Sequence, residues 1–294
     1  MKTLAICDKF SHMKIALAQI SPILQDVRKN INRHLKLAEK AKKERADLIV
    51  FPELSLTGYT LQDLVPEAAI NPNKDDSFDA FRLISKEISI VLGFVEEKGK
   101  GSFYNSAAFI SGGEVLHIHR KVFLPTYGMF DEAKFFSQGK DISAFQTPFG
   151  KTGLLICYDF LNYGANYVLF SQGADIIIAL SAAPGRGINE NDAFASSHMW
   201  ELMGETVSRF STAFVIYCNR VGFEDGKSFA GGSFIYSPEG TAICRASYID
   251  EDFLIEELDL SLLRKARQKL MYKRDNKPEV ILKNLYRAVF KNED

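Results

Sequence analysis

The stretch Lys14–Phe51, KIALAQISPILQDVRKNINRHLKLAEKAKKERADLIVF, reads as strand, helix, strand. Lys14–Ile20 is an apolar run closed by Ser21-Pro22, a turn signal. Asp26 is placed to cap a helix whose Val27, Ile31, Leu35, Ala38 and Ala41 recur at spacings of three and four, which makes one apolar stripe. Asp47–Phe51 (DLIVF) is a short, continuously apolar strand. Two such strands joined by one helix favour parallel pairing in a sheet covered on both faces.

Outward from this start the same alternation continues without a linker. A helix is expected around Asp76–Lys86, then strands at Ser89–Val95, Tyr104–Ser111 and Glu114–His119, the last two joined by a turn at Gly112-Gly113. Further strands are expected at Lys151–Cys157, Asp175–Leu180, Ala213–Cys218, Gly232–Tyr236, Ala242–Ser247 and Phe253–Leu258. Helices are expected near Asn162–Gln172 and over Asp192–Phe210. Strands with covering helices in both halves predict an α/β protein of two mixed sheets packed as a sandwich with helices outside. No shift of composition divides it, so residues 13–263 read as one domain. Residues 1–12 read as a leader or a cloning junction, and residues 264–294 as a helical tail with a possible subunit contact.

Composition narrows the function. Lys and Arg total 36 against 37 Asp and Glu, a net charge of −1, which argues against a nucleic-acid or anionic-membrane binder. The basic run Arg264–Lys277 follows directly on the acidic run Asp250–Asp259 and carries only Tyr272 as an aromatic, so it reads as a solvated face or a subunit contact. Four cysteines without a C-x-x-C pair point to neither a disulfide framework nor a zinc site, and a reducing, cytoplasmic setting fits them. No apolar run approaches the ~20 residues of a membrane span.

Cys157 ends an apolar strand in Gly153-Leu-Leu-Ile-Cys-Tyr-Asp159, where active sites of α/β folds commonly lie. A lone cysteine of this kind is more often an inert core residue, and Cys218 and Cys244 keep that reading. As a nucleophile Cys157 needs a base. Histidine is scarce: His117 and His119 alternate on a strand with no further ligand beside them and read as surface or interface residues. Glu53, leaving the DLIVF strand among Leu54, Leu56 and Tyr59, is the stronger candidate, because a carboxylate in apolar surroundings can take and return protons near neutrality. Lys121, leaving a strand into Val122-Phe-Leu-Pro125, is a cation that could hold an oxyanion or sit solvated on the surface.

As a set, Phe51-Pro-Glu-Leu54 with Leu56-Thr-Gly-Tyr59, Arg120-Lys121 with Leu124-Pro125 and Phe130-Asp-Glu132, and Ile156-Cys-Tyr-Asp159 resemble the nitrilase, or carbon-nitrogen hydrolase, superfamily. The likeness runs from about Met13 through Asn219-Arg-Val-Gly222 to about Leu263. It implies an αββα four-layer sandwich and a Glu-Lys-Cys triad: Glu53 as base, Lys121 as oxyanion stabiliser, Cys157 as nucleophile, and Glu132 as a second glutamate positioning Lys121 and the substrate nitrogen. Tyr59, Tyr127, Tyr158 and Arg186 are the expected substrate contacts. No metal or organic cofactor is implied, and homodimers or larger homo-oligomers are.

Two segments depart from the family pattern, Phe160-Leu-Asn-Tyr-Gly164 and Ser181-Ala-Ala-Pro-Gly-Arg-Gly187. Both are expected to line the pocket, so they leave the triad intact and the substrate open. Tyr127–Glu132 is similar to the glutaminase part of glutamine-dependent NAD synthetases. The expectation from the sequence is a free-standing amidase that releases ammonia from a small linear amide. The alternatives are an N-carbamoyl-amine hydrolase, a glutaminase-like ammonia supplier, or a catalytically silent binding subunit.

Overall fold

The computed structural model describes residues 11–187 and 194–290. In the first half, β1 (His12–Gln19), α1 (Val27–Lys43) and β2 (Leu48–Val50) form the expected βαβ unit. Then come α2 (Val65–Ala68), α3 (Asp76–Ile84), β3 (Ser89–Glu97), β4 (Phe103–Ser111) and β5 (Glu114–Arg120). Next are α4 (Glu132–Phe135), β6 (Ala144–Thr147), β7 (Gly150–Ile156), α5 (Tyr158–Leu161), α6 (Tyr163–Ser171) and β8 (Ile176–Ser181). The chain continues through α7 (Ala195–Ser211), β9 (Phe214–Asn219), β10 (Val221–Glu224), β11 (Lys227–Ala230), β12 (Phe234–Tyr236), β13 (Ala242–Arg245) and β14 (Asp252–Asp259). It ends in α8 (Ser261–Lys269), α9 (Tyr272–Asp275) and α10 (Pro278–Phe290).

Two six-stranded mixed sheets, β14-β1-β2-β3-β4-β5 and β13-β12-β9-β8-β7-β6, pack face to face, with α1 and α3 outside one and α6 and α7 outside the other. The expected αββα sandwich is thus present. Alternation explains why a central strand is apolar on both faces: Met13, Ile15 and Leu17 of β1 face the other sheet, while Ala16 and Ala18 face the helices. Cys218 lies at the seam, its thiol donating toward the Val50 carbonyl of the facing sheet at 3.4 Å.

Asp26 caps α1 as expected, accepting from the Lys29 N–H at 3.1 Å. The buried side of α1 is more polar than its stripe, because Asn30 and His34 are buried beside Ala38 and Ala41. His34 bonds the Asn30 carbonyl at 2.7 Å and the Ser55 hydroxyl at 2.9 Å and stacks on Phe51, so it props the segment that leads to Glu53.

Other expectations need correction. The boundary placed after Leu263 falls inside α8, which is tied to the second sheet by Arg267–Asp175 at 2.6 Å. Asp192, the expected start of the long helix, lies outside the described residues, and α7 is described from Ala195. The antiparallel hairpin β10–β11 was unforeseen; it belongs to neither large sheet.

Candidate active site

β2, β5, β7 and β8 all end on one rim of the sandwich, and each delivers a residue there as it leaves its sheet. Glu53 follows β2, Lys121 follows β5, Cys157 follows β7, and Ala182 follows β8. Ligand sites of α/β sheets form outside such carboxyl ends because the chain must turn there and the side chains splay.

Two glycines allow the backbones to pass closely enough. A Cβ on Gly93 would lie 2.4 Å from the Leu54 nitrogen and 2.6 Å from the Pro52 carbonyl, so only glycine lets the Pro52–Leu54 segment cross β3. A Cβ on Gly139 would lie 2.0 Å from the Arg120 carbonyl oxygen, and the Gly139 N–H donates to the Lys121 carbonyl at 2.8 Å. Both close approaches fix a charged residue of the site by its backbone.

The charged groups form one hydrogen-bonded chain. Lys121 Nζ donates to Glu53 Oε1 at 2.8 Å and to Glu132 Oε1 at 2.7 Å, and the Tyr59 hydroxyl donates to Glu132 Oε1 at 2.6 Å. Glu53 is held further by Asn105 Nδ2 on Oε1 at 2.7 Å and by the Ala182 N–H on Oε2 at 2.7 Å. All of these side chains are buried. Burial pulls the Lys121 ammonium toward its neutral form, but Glu132 and Glu53 outweigh it and hold its pKa well above the ordinary lysine range. Burial, with Glu53 nearby, raises the Glu132 carboxyl against the opposing pull of Lys121.

Cys157 stands opposite this chain at the start of α5, with φ +47° and ψ −102°, a strained conformation for a residue with a Cβ. Its own N–H donates to the Leu180 carbonyl at 2.7 Å, which locks the turn to β8. Burial pushes the thiol far above its ordinary pKa and Glu53 adds to this, while Lys121 opposes both. Both influences favour the protonated thiol, so a nucleophilic role for this sulfur would require a base to take its proton.

Asp159 ties the cysteine turn to the lysine loop. Its Oδ1 accepts the Val122 and Phe123 N–H groups at 3.0 and 2.9 Å, and its Oδ2 accepts the Ile156 N–H at 3.2 Å and pairs with His119 Nε2 at 2.8 Å. His119, read from the sequence as a surface or interface residue, is instead buried behind the site, because the strand position two residues before Lys121 faces Asp159. His117 is half-buried and stacks on Phe145.

A cavity of about 170 Å3 opens onto Cys157 between Tyr127, Phe130, Tyr158, Pro184, Arg186 and α7 residues including Trp200. Tyr127, Tyr158 and Arg186, three of the expected substrate contacts, are among the residues that line it. Tyr59 is not: it is buried behind the cavity with its hydroxyl committed to Glu132. Arg186 lies over the Phe130 ring, 6.0 Å from its centroid, and among the described residues it has no carboxylate partner. Sequence reasoning missed Asn105 and the Ala182 N–H, whose only signals are a polar residue in a core strand and a departure from the family pattern.

Comparison with known proteins agrees with this geometry. The carbon-nitrogen hydrolase family model matches residues 14–268. The chain is 34% identical over 251 residues to a glutamine-dependent NAD(+) synthetase of Acinetobacter baylyi, covering 85% of this chain and 45% of that protein. The structure of the corresponding synthetase of Acinetobacter baumannii superposes with a TM-score of 0.75 at 32% identity, over 86% of this chain and 46% of that one. The chain therefore spans about half the length of these relatives. A carbon-nitrogen hydrolase of Helicobacter pylori shares the fold along nearly its whole length, with a TM-score of 0.83 at 23% identity, covering 93% of this chain and 98% of that one. Family match, four-layer sandwich and rim site agree: this chain belongs to the carbon-nitrogen hydrolase family of the nitrilase superfamily.

Proposed function

We propose that the chain hydrolyses the terminal carboxamide of a small linear, carboxylate-bearing amide, with glutamine as the first candidate, and releases ammonia. The observation that carries this reading is the buried Glu53–Lys121–Glu132 chain set opposite a strained Cys157 at the floor of a cavity sized for a small molecule. An amide carbon is a poor electrophile. It needs a soft nucleophile, a fixed positive charge at the developing oxyanion and an acid for the departing nitrogen.

In the proposed cycle, Cys157 Sγ attacks the carboxamide carbon as Glu53 takes the thiol proton. Lys121 Nζ and the Tyr158 N–H hold the oxyanion. As the C–N bond breaks, Glu53 returns the proton to the nitrogen, ammonia leaves, and a thioacyl-enzyme remains. Water then attacks that carbonyl, losing a proton to Glu53, and the C–S bond breaks with reprotonation of sulfur. Among the described residues Glu132 Oε2 is buried without a hydrogen-bond partner, which suits it to accept an N–H of the substrate amide. Arg186 is the proposed partner of the substrate carboxylate.

A second reading, an ammonia-supplying glutaminase working with a synthetase, is favoured by the likeness to glutamine-dependent relatives. Both readings share the chemistry. The proposal extends to a homodimer through the exposed Tyr163, Val168, Met199, Leu202 and Phe210 of α6 and α7. The test is ammonia release from glutamine, simple ω-amides and N-carbamoyl amines by wild type and Cys157→Ala. Turnover of an ω-amide by wild type alone supports the amidase. Turnover confined to N-carbamoyl amines would replace it with the carbamoyl hydrolase, and no turnover at all would favour a silent subunit.

A further inference from the structure

Arg220 is a fully buried guanidinium whose ion-pair partner among the described residues is Glu224, reached by Nη1 at 2.6 Å, while its Nε and Nη2 find no hydrogen-bond partner. A buried charge is costly unless paired, so Glu224 is held firmly in its place. The other oxygen of Glu224 is not spent on the hairpin that carries it. Its Oε1 accepts the Tyr59 N–H at 2.8 Å, the Thr60 N–H at 2.7 Å and the Thr60 hydroxyl at 2.8 Å. The guanidinium stacks on Phe229 at 4.0 Å, and Phe229 meets the Tyr59 ring edge to face at 5.8 Å. Tyr59 is thereby gripped by both its backbone and its ring, and its hydroxyl grips Glu132, which grips Lys121.

The same hairpin holds the loop on the opposite wall. The Arg220 N–H donates to the Ser181 carbonyl at 3.2 Å, the Ala230 N–H to the Ala183 carbonyl at 3.0 Å, and the Gly185 N–H to the Ser228 carbonyl at 3.0 Å. This is the segment whose Ala182 N–H binds Glu53 and which leads to Arg186.

We propose that Glu224, fixed by Arg220, is a positioning residue for Lys121 that acts through Tyr59 and Glu132. The proposal rests on the assignment of Lys121 to the oxyanion. Neither Glu224 nor Tyr59 lines the cavity, so their loss should lower kcat and leave KM unchanged.

The experiment is a double-mutant cycle of Tyr59→Phe and Glu224→Gln. It has two readouts: kcat and KM for the amide, and the rate at which iodoacetamide alkylates Cys157, followed by intact mass. Tyr59→Phe should lower kcat about tenfold, the loss of one hydrogen bond to a charged group. Glu224→Gln should lower it several-fold, and the double variant should fall within about twofold of Tyr59→Phe alone, because the two act in series. Alkylation should show the same coupling. If Glu224→Gln fails to fold, Glu224→Asp keeps the charge opposite Arg220 while shortening the reach to Tyr59, and the same cycle is run with it. Multiplicative losses in the double variant, or a Glu224 variant with unchanged kcat and alkylation, would overturn the proposal. Coupled alkylation in a wild type that turns over no amide would uphold the clamp and defeat the amidase reading.

Discussion

Glu53, Lys121 and Glu132 are buried and joined to one another by hydrogen bonds of 2.7–2.8 Å, whereas Tyr127 is half exposed and Arg186 lies over a ring without a carboxylate partner among the described residues. The first group leaves the ends of β2 and β5 and the start of α4; the second sits on the loops between elements. Residues at strand ends inherit the rigidity of the sheets, while loop residues can change without disturbing the core. The closed end of the site is therefore suited to chemistry and the open end to choosing a substrate. Substitutions at the two ends should accordingly fail in different ways.

The largest effect belongs to the closed end. Cys157→Ala should reduce ammonia release by at least about 10^4-fold, to the level of the uncatalysed reaction plus what binding alone supplies. Lys121→Met should follow with a loss of about 10^2–10^3 in kcat, the usual consequence of removing one oxyanion partner. Its effect on KM should be small. Steady-state ammonia assays with both variants check this pair, and a Lys121→Met variant altered mainly in KM would break the division between the two ends.

At the open end, Arg186→Ala should raise KM for a carboxylate-bearing amide about 10–100-fold, with kcat little changed, and leave a neutral amide untouched. Arg186→Lys should restore only part of the affinity, because an ammonium lacks the planar fork of a guanidinium. Equal losses on charged and neutral amides would place Arg186 with the closed end instead.

The closed end was also the legible one. β1, α1 and β2 could be read because an apolar run bounded by turn residues and a three-four periodicity each have one physical meaning. Glu53, Lys121 and Cys157 lie at or near strand ends, but singly each also reads as a core or surface residue, and only the resemblance of their three motifs as a set points to them together. Asn105, His119 and Glu224 could not be read, since each is a polar residue whose partner at the site, Glu53, Asp159 and the Tyr59 N–H respectively, lies far away in sequence, and only the packed sheets bring them together. The cavity lining was half legible: Tyr127 and Tyr158 adjoin the motifs, whereas Tyr59 adjoins one yet turns away from the cavity toward Glu132.

The smallest effect sharpens the account of how the closed end is propped. Burial lowers the pKa of His34 from the ordinary 6.5 to about 3, so the folded chain keeps this imidazole neutral where the unfolded chain protonates it. The unfolded state thus binds more protons between these two values. The contribution is fully present above 6.5 and is lost as pH falls toward 3, at up to about 1.4 kcal/mol per pH unit. Melting temperature measured against pH should fall across this window, and His34→Gln should flatten the slope. An unchanged slope would remove His34 from the groups that set acid stability.

Cys157 as the point of covalent attachment is the central claim, and its most direct test is the state of the enzyme during turnover. Wild-type protein mixed with excess glutamine and quenched in acid within the first turnover should carry the acyl group on the peptide containing Cys157. One ammonia should be released for each chain so labelled. An acyl group on Cys218 or Cys244, or ammonia released at the wild-type rate by Cys157→Ala, would contradict the account.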